Sequence, residues 1–495
     1  MSATFPDRHL LSVTATAAAA KKAFHINLVT RSRPDGSMFY APDREPSIDL
    51  DTKILHVTGL DDYIPALHAN GTGSGPEGSF GGSDFRNAYA PGVTLTGAGQ
   101  TVGLLEDEGY YVADINRYQA QFPNALPNQI PLRVITSDGF VATSTQSGPP
   151  RGGCKPVKPL PPNTPPAGTP IGSTIERSLD IEVAMAMAPG LENIYVYEGC
   201  NFDTILQSMA STTLPDGSLP QQLSASYTFG ASPTTIEIVE QMAVQGQSFF
   251  VAAGDKHATC PDNVENSSRA LPYTTVVGGT ILTMNRSGAS WKSETAATDG
   301  GGVLNGVPLP GYQAQAAANV DPSANSRMIP DVAMVSCDGS NGKCGMLVYE
   351  NNDPDPAHHL GGTSVATPLW AAYIALANEL GNRNGWGPLG FINPALYSIG
   401  SIPAEYARDF HDVIDGSSPP NPCPTGVPTH AAPGYDLITG LGTPTANLID
   451  DLVAPPQKYY PPPPQCGPGE RWCVRYNRCT PDSQCTVIGT KPPNQ

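Results

Sequence analysis

One serine and a handful of carboxylates in this chain stand where they could do chemistry. In GGTSVATPLWA, a Gly-Gly-Thr turn delivers Ser364 to the start of an apolar stretch running through Trp370 and Ala377, which predicts a helix. A serine at a helix N-terminus has free backbone N–H groups and a favourable dipole beside it, a setting that suits a nucleophile whose product is an oxyanion. The plainer alternative makes Ser364 or Thr363 only an N-cap. Pro368, four residues further on, should free a carbonyl and bend the helix. A serine nucleophile needs a base, and the nine histidines offer no obvious one. His257 follows Gly-Asp in a loop, His358 and His359 are adjacent to each other, and all three read as loop or surface residues.

A second segment supplies a different base. GSTIERSLDIEVAMAMAPG sets Glu176 and Asp180 four residues apart, on one face of a predicted helix. Paired carboxylates repel and can share a proton, so one of them stays protonated into mildly acid pH. Glu176 could then accept the Ser364 proton while Asp180 orients it. An equally open reading takes Ser173 and Glu176 as a capping box that only starts the helix. A third segment, SFFVAAGD, is an apolar strand ending in Asp255. A lone Asp there is usually a turn former; protonated in acid, it could donate a hydrogen bond to an oxyanion. A fourth pair, Asp412 in FHDVIDGSS and Asp436 in HAAPGYDLITG, lies among Gly and Pro turns, and hard oxygen ligands of this kind suit Ca²⁺. Two Asp-Gly turns are the simpler account of those residues.

The elements that must position these groups alternate. TVGLLE, NIYVYE, QLSASYTF and SFFVAAGD read as strands. VADINRYQAQF, the segment from Ile175, FDTILQSMA and TTIEIVEQMAVQ read as helices. Repeated strand–helix units predict an α/β fold with a mostly parallel sheet covered by helices, whose sites lie at the carboxyl ends of the strands. Residues 1–62 read as a small separate α/β piece, 63–84 as an exposed Gly-rich linker, 85–453 as the main domain, 454–465 as a stiff Pro-rich linker and 466–495 as a short Cys-rich tail. A Pro/Gly insertion interrupts the main domain at 145–170.

Composition narrows the function classes. With 27 basic and 45 acidic residues the net charge is −18, which argues against nucleic acid or an anionic membrane as the main partner and suits work in acid. The 51 Gly and 52 Pro exclude a helical bundle. No apolar run is long enough to span a bilayer. The ten cysteines include Cys337 and Cys344 around a Gly-rich loop, and Cys466, Cys473, Cys479 and Cys485 in the tail. That usage predicts disulfides and an oxidising, extracellular compartment. The N-terminus has no signal-peptide pattern, so the expectation is that a true N-terminus precedes it.

Together these segments resemble the sedolisin family of serine-carboxyl peptidases, across about residues 8 to 453. GGTSVATPLWA is similar to that family's Ser-Gly-Thr-Ser motif, ERSLD to its E-x-x-x-D and AAGD to its Ser-Gly-Asp segment. The resemblance implies a subtilisin-like three-layer fold and an acid-acting endopeptidase that cuts protein and peptide substrates through an acyl-enzyme. Its implied catalytic residues are Ser364 as nucleophile, Glu176 as base, Asp180 as its partner and Asp255 as oxyanion-hole acid. Glu106, ending the first strand, is implied to support the triad. One structural Ca²⁺ is implied on the side chains of Asp412 and Asp436 and the carbonyls of Val413, Ala432 and Gly434. Tyr227 stands where the family often has Trp. Residues 1–62 resemble the second half of the family's propeptide, which makes the chain's own propeptide a partner and 63–84 the maturation region. A monomer is expected. The alternatives are a tripeptidyl-peptidase of the same family, a histidine-based protease active at neutral pH, and an inactive homologue that holds a cell-surface polymer through its tail.

Overall fold

The computed structural model describes residues 3–4, 11–12, 16–32, 38–49, 60, 71–106, 109–138, 174–199, 201–255, 267–297, 300–337, 344–416, 430–453, 470–473 and 478–481. The chain forms two compact units, residues 1–68 and 69–495. In the first, the helix Ala17–Ala23 is capped by Thr16, whose hydroxyl accepts the Ala19 N–H at 3.2 Å. An antiparallel pair, Leu28–Ser32 with Met38–Pro42, follows it. The insertion at 145–170 and the Pro-rich 454–465 fall outside the described residues. The tail contributes the backbone of a hairpin, Glu470–Cys473 with Arg478–Pro481.

The second unit is built on an eight-stranded sheet. In chain order its elements are β1 (Thr101–Glu106), α1 (Val112–Gln121), β2 (Leu132–Thr136), α2 (Ile175–Met187), β3 (Asn193–Glu198), α3 (Phe202–Ser211), β4 (Gln222–Ala225), α4 (Pro233–Val244), β5 (Ser248–Ala252), β6 (Thr275–Asn285), β7 (Ser290–Ala296) and β8 (Val332–Val335). The long helix α5 (Thr363–Arg383) follows these strands in the chain. The strand order is β7-β6-β5-β4-β1-β3-β2, with β8 also pairing β6. All pairs are parallel except the β6–β7 hairpin. This is the α/β fold that the strand–helix alternation predicts. The β6–β7 hairpin was not among the sequence readings, because its strands are connected locally and interrupt the alternation.

Alternation along each strand sorts the layers. In β1, Val102 and Leu104 face the core shared with α2 and α5, while Leu105 faces the core shared with α3 and α4. Helix α5 is buried on nearly every side, which explains why its sequence is apolar all round rather than striped. Its Trp370 is fully buried and donates its indole N–H to the Ala333 carbonyl of β8 at 2.9 Å.

One expectation of exposure needs correction. The stretch 63–84 reads as exposed with almost nothing to bury, and residues 71–84 do not behave so. Phe80 is fully buried, its N–H bonded to the Gly345 carbonyl at 2.8 Å and its carbonyl to the Leu347 N–H at 2.9 Å. The Asp84 carboxylate ties this turn together by accepting the N–H groups of Ser74 and Gly81. One aromatic side chain and a buried carboxylate suffice to order a Gly-rich segment, which composition alone conceals.

Candidate active site

The strand order reverses around β1, whose neighbours are β3 and β4, and ligands of such sheets bind beyond the carboxyl ends of the strands at that reversal. The candidate residues collect there. Glu106 is the last residue of β1, Ser226 and Tyr227 follow β4, and Asp255 lies just past β5. Helices α2 and α5 run side by side over this edge and carry Glu176, Asp180 and Ser364.

Helix α2 begins at Ile175 with Thr174 at its N-cap, and no side chain caps it. Glu176 is therefore in the second helical position, one short of the capping-box position, and Ser173 lies outside the described residues. One turn on, Asp180 is fully buried. Burial pushes its carboxyl well above the ordinary range, and the negative charges of Glu106 and then Glu176 push it further. Glu106, Glu176 and Asp180 are thus one acidic cluster, in which Asp180 keeps a proton at pH values where an isolated carboxylate loses it. The Ser226 hydroxyl, 2.7 and 3.0 Å from the two Asp180 oxygens, acts in the opposite direction. Glu106, also fully buried, accepts a hydrogen bond from the Tyr227 hydroxyl at 3.0 Å.

Helix α5 starts on Gly362, whose φ of 134° is open to glycine but strained for other residues. A Cβ there would also stand 2.8 Å from an Asp255 oxygen. Thr363 and Ser364 are thus the first two helical residues, and neither is the N-cap. Asp255 grips this end of the helix: one oxygen accepts the Thr363 N–H at 2.7 Å and the Thr363 hydroxyl at 2.9 Å. The Gly254 N–H closes the arrangement on the Thr363 hydroxyl at 3.0 Å. Ser364 is 8% exposed, so its hydroxyl remains reachable. Among the described residues that hydroxyl makes no hydrogen bond, including to Glu176; such contacts commonly tighten only when substrate binds.

Pro368 explains a contact the sequence readings missed. A helical residue at that position would donate its N–H to the Ser364 carbonyl, and proline has none. The Ser226 hydroxyl stands 3.3 Å from that carbonyl as well as against Asp180. Thus Ser226 sits between the serine's backbone and the acidic cluster. The freed carbonyl was legible; its partner, 138 residues away in sequence, was not. Glu198 was also missed. It pairs in register with Glu106 across β3 and β1, is fully buried, and is pushed up to about 8 by burial, with Arg177 opposing. Of the three histidines expected in loops, His257 lies outside the described residues, while His358 and His359 belong to the strand Ala357–Leu360, with their side chains outside the described residues.

The second predicted cluster also assembles in part. The Asp412 carboxylate accepts the Tyr406 hydroxyl at 2.9 Å and the Gly434 N–H at 3.0 Å. Asp436 accepts the N–H groups of Ile438 at 2.7 Å, Thr439 at 2.8 Å and Ala432 at 3.2 Å, and the Thr439 hydroxyl at 2.9 Å. Burial, then both carboxylates, push the Tyr406 phenol up, so the two loops share one electrostatic neighbourhood. Among the described residues no group of three or more His, Cys, Asp or Glu could hold a metal. Two carboxylates with the carbonyls of Val413, Ala432 and Gly434 fit a hard dication in kind, although an ion there competes with the donors already on Asp436.

No family model matches the chain. Over 478 residues it is 30% identical to kumamolisin of Bacillus sp. strain MN-32, covering 88% of this chain and 77% of that protein. It is 29% identical over 319 residues to tripeptidyl-peptidase 1 of Mus musculus, a match to 57% of this chain and about half, 52%, of that protein. Among solved structures, Pseudomonas sedolisin, a serine-carboxyl proteinase complexed with two molecules of pseudo-iodotyrostatin, shares the fold with a TM-score of 0.55. That likeness covers 77% of this chain and 98% of the neighbour at 20% identity.

Proposed function

Because this chain belongs to the sedolisin family and is a serine-type peptidase, we propose that it is an acid-acting endopeptidase whose nucleophile is Ser364. The observation that carries the reading is the junction of three elements: a reachable Ser364 at the N-terminus of α5, an acidic cluster on α2 and β1, and Asp255 gripping the turn between. Ser364 Oγ attacks the scissile carbonyl carbon, and Glu176 takes the hydroxyl proton and returns it to the leaving amine. Asp180 holds Glu176, with Glu106 and Tyr227 behind it. The tetrahedral oxyanion is stabilised by the Ser364 N–H and by the carboxyl of Asp255 in its protonated form. Water then hydrolyses the acyl-enzyme by the reverse proton path. A proton retained by the cluster supports activity below neutral pH.

The experiment is cleavage of a protein and of a peptide library at about pH 4 with wild type and Ser364→Ala. Ser364→Ala should lose at least a thousandfold in kcat/KM, and internal cuts should dominate. Substantial activity in Ser364→Ala overturns the nucleophile. Sequential release of N-terminal tripeptides replaces the endopeptidase reading by the exopeptidase one, which the similarity to tripeptidyl-peptidase 1 favours.

A structural Ca²⁺ held by Asp412, Asp436 and the carbonyls of Val413, Ala432 and Gly434 belongs to the same reading. When bound, it would neutralise two carboxylates and tie two loops together. EGTA should then lower the melting temperature, and added Ca²⁺ should restore it; Asp412→Asn should abolish that response while leaving the apo protein folded. An unchanged melting temperature in EGTA removes the ion from the account. Secretion is proposed from cysteine usage; the Cys337–Cys344 disulfide supports it, and no helix among the described residues is long and apolar enough to cross a membrane.

A further inference from the structure

The turn that presents Ser364 is held from two sides, and a disulfide joins the sides. On one side, β8 runs into Ser336 and Cys337. The Ser336 carbonyl accepts the Gly362 N–H at 2.8 Å. The Cys337 carbonyl lies so close to Gly361 that a Cβ there would stand 1.5 Å from it, so backbone meets backbone with no room for a side chain. Cys337 itself takes a left-handed φ of 54°, which aims this carbonyl, and its N–H is anchored on the Thr280 carbonyl of β6 at 3.1 Å. On the other side, Met346–Val348 pairs antiparallel with Ala357–Leu360, with Met346 opposite Leu360, the residue that enters the Gly361–Gly362 turn. Cys344 stands two residues before Met346 and is disulfide-bonded to Cys337. Their Cα atoms are 5.1 Å apart, and the two side chains are 0% and 5% exposed.

We propose that the Cys337–Cys344 disulfide is a positioning device for Ser364: it fixes the spacing of the two walls between which Gly361 and Gly362 are threaded, and so sets where the first residues of α5 stand. The inference rests on the reading of Ser364 as nucleophile. Its physical basis is that misplacing a nucleophile by about an ångström costs on the order of a hundredfold in rate, while binding of the substrate along the cleft is untouched.

The test compares wild type, the double variant Cys337→Ser with Cys344→Ser, and Ser364→Ala, with kcat and KM measured on one peptide substrate well below each protein's melting temperature. The double variant should lose at least tenfold in kcat with KM within twofold of wild type. A bridge that only adds stability would lower the melting temperature and leave kcat at the wild-type value, and that result overturns the proposal. Should the serine pair fail to fold, the alanine pair, which leaves no unpaired hydroxyl in a buried place, carries the same expectation and the same refutation. Ser364→Ala separates the two ideas. If it stays active, the reading of the site has failed; if it is dead while the cysteine variants keep full kcat, only the positioning role has.

Discussion

At the scale of single residues, the site is a set of carboxyl groups kept apart by their surroundings. Asp180 is buried among Glu106 and Glu176, while Asp255 is exposed and bonded to Thr363. Ser226 is the one hydroxyl that touches both Asp180 and the backbone of Ser364. A hydrogen bond to a charged group contributes about 1.5–3 kcal/mol. Ser226→Ala should therefore lower kcat by roughly ten- to a hundredfold. Because the lost donor favours the ionised carboxylate, the pH–rate profile should also move to higher pH. A profile that keeps its position, with kcat unchanged, excludes Ser226 from the proton path. The acidic pair itself was legible, since i and i+4 spacing is set by helix geometry alone. Ser226 and Glu198 were not, because nothing local marks a serine or glutamate at a strand end as buried against a helix.

At the scale of elements, helix α5 places the serine by sacrificing regularity. Pro368 stands inside it, and the Ser226 hydroxyl lies 3.3 Å from the carbonyl that the proline leaves without a helical donor. The prediction is that Pro368→Ala keeps or slightly raises the melting temperature, since it restores a helical N–H, yet lowers kcat several-fold. The new N–H would compete with Ser226 for the Ser364 carbonyl. Stability and activity moving together would contradict this. Most strands and helices were readable from period and length, and every strand expected between residues 101 and 252 is present. The exceptions have physical causes. The Gly-rich run before Phe85 orders through Phe80 and Asp84, and the start of α2 is one residue off the capping box, with Thr174 rather than Ser173 at its N-cap.

At the scale of the whole molecule, acidity is a property of the fold as well as of the site. Burial raises the carboxyls of Asp180 and Glu182 well above their ordinary range and brings Glu198 to about 8. In each case the folded state holds a proton that the unfolded chain, with carboxyls titrating near 4, releases. The stability these groups contribute is complete below about pH 4 and is lost as pH rises through the folded values, which for Glu198 lies near 8. Asp216 and Asp321 are shifted the other way, by nearby serine donors, but both are fully exposed. Thermal melts should therefore give a higher melting temperature at pH 4.5 than at pH 7.5. Glu198→Gln should flatten the upper part of that slope. A melting temperature that climbs toward neutral pH would count against the buried carboxyls as its source.

What the sequence by itself determined is the α/β architecture, the helix that carries Glu176 and Asp180 together, and the turn that opens a helix on Ser364. These follow from local periods, from glycine's access to backbone angles other residues avoid, and from proline's missing N–H. Only the tertiary structure decided which groups share an environment. Asp180 meets Glu106 and Ser226, Asp255 meets Thr363, and the Cys337 carbonyl lies against Gly361, all across separations that no local rule spans. The reason is physical. A residue's conformation is set by its neighbours in the chain, whereas its protonation state and its partners are set by whatever the folded chain packs against it.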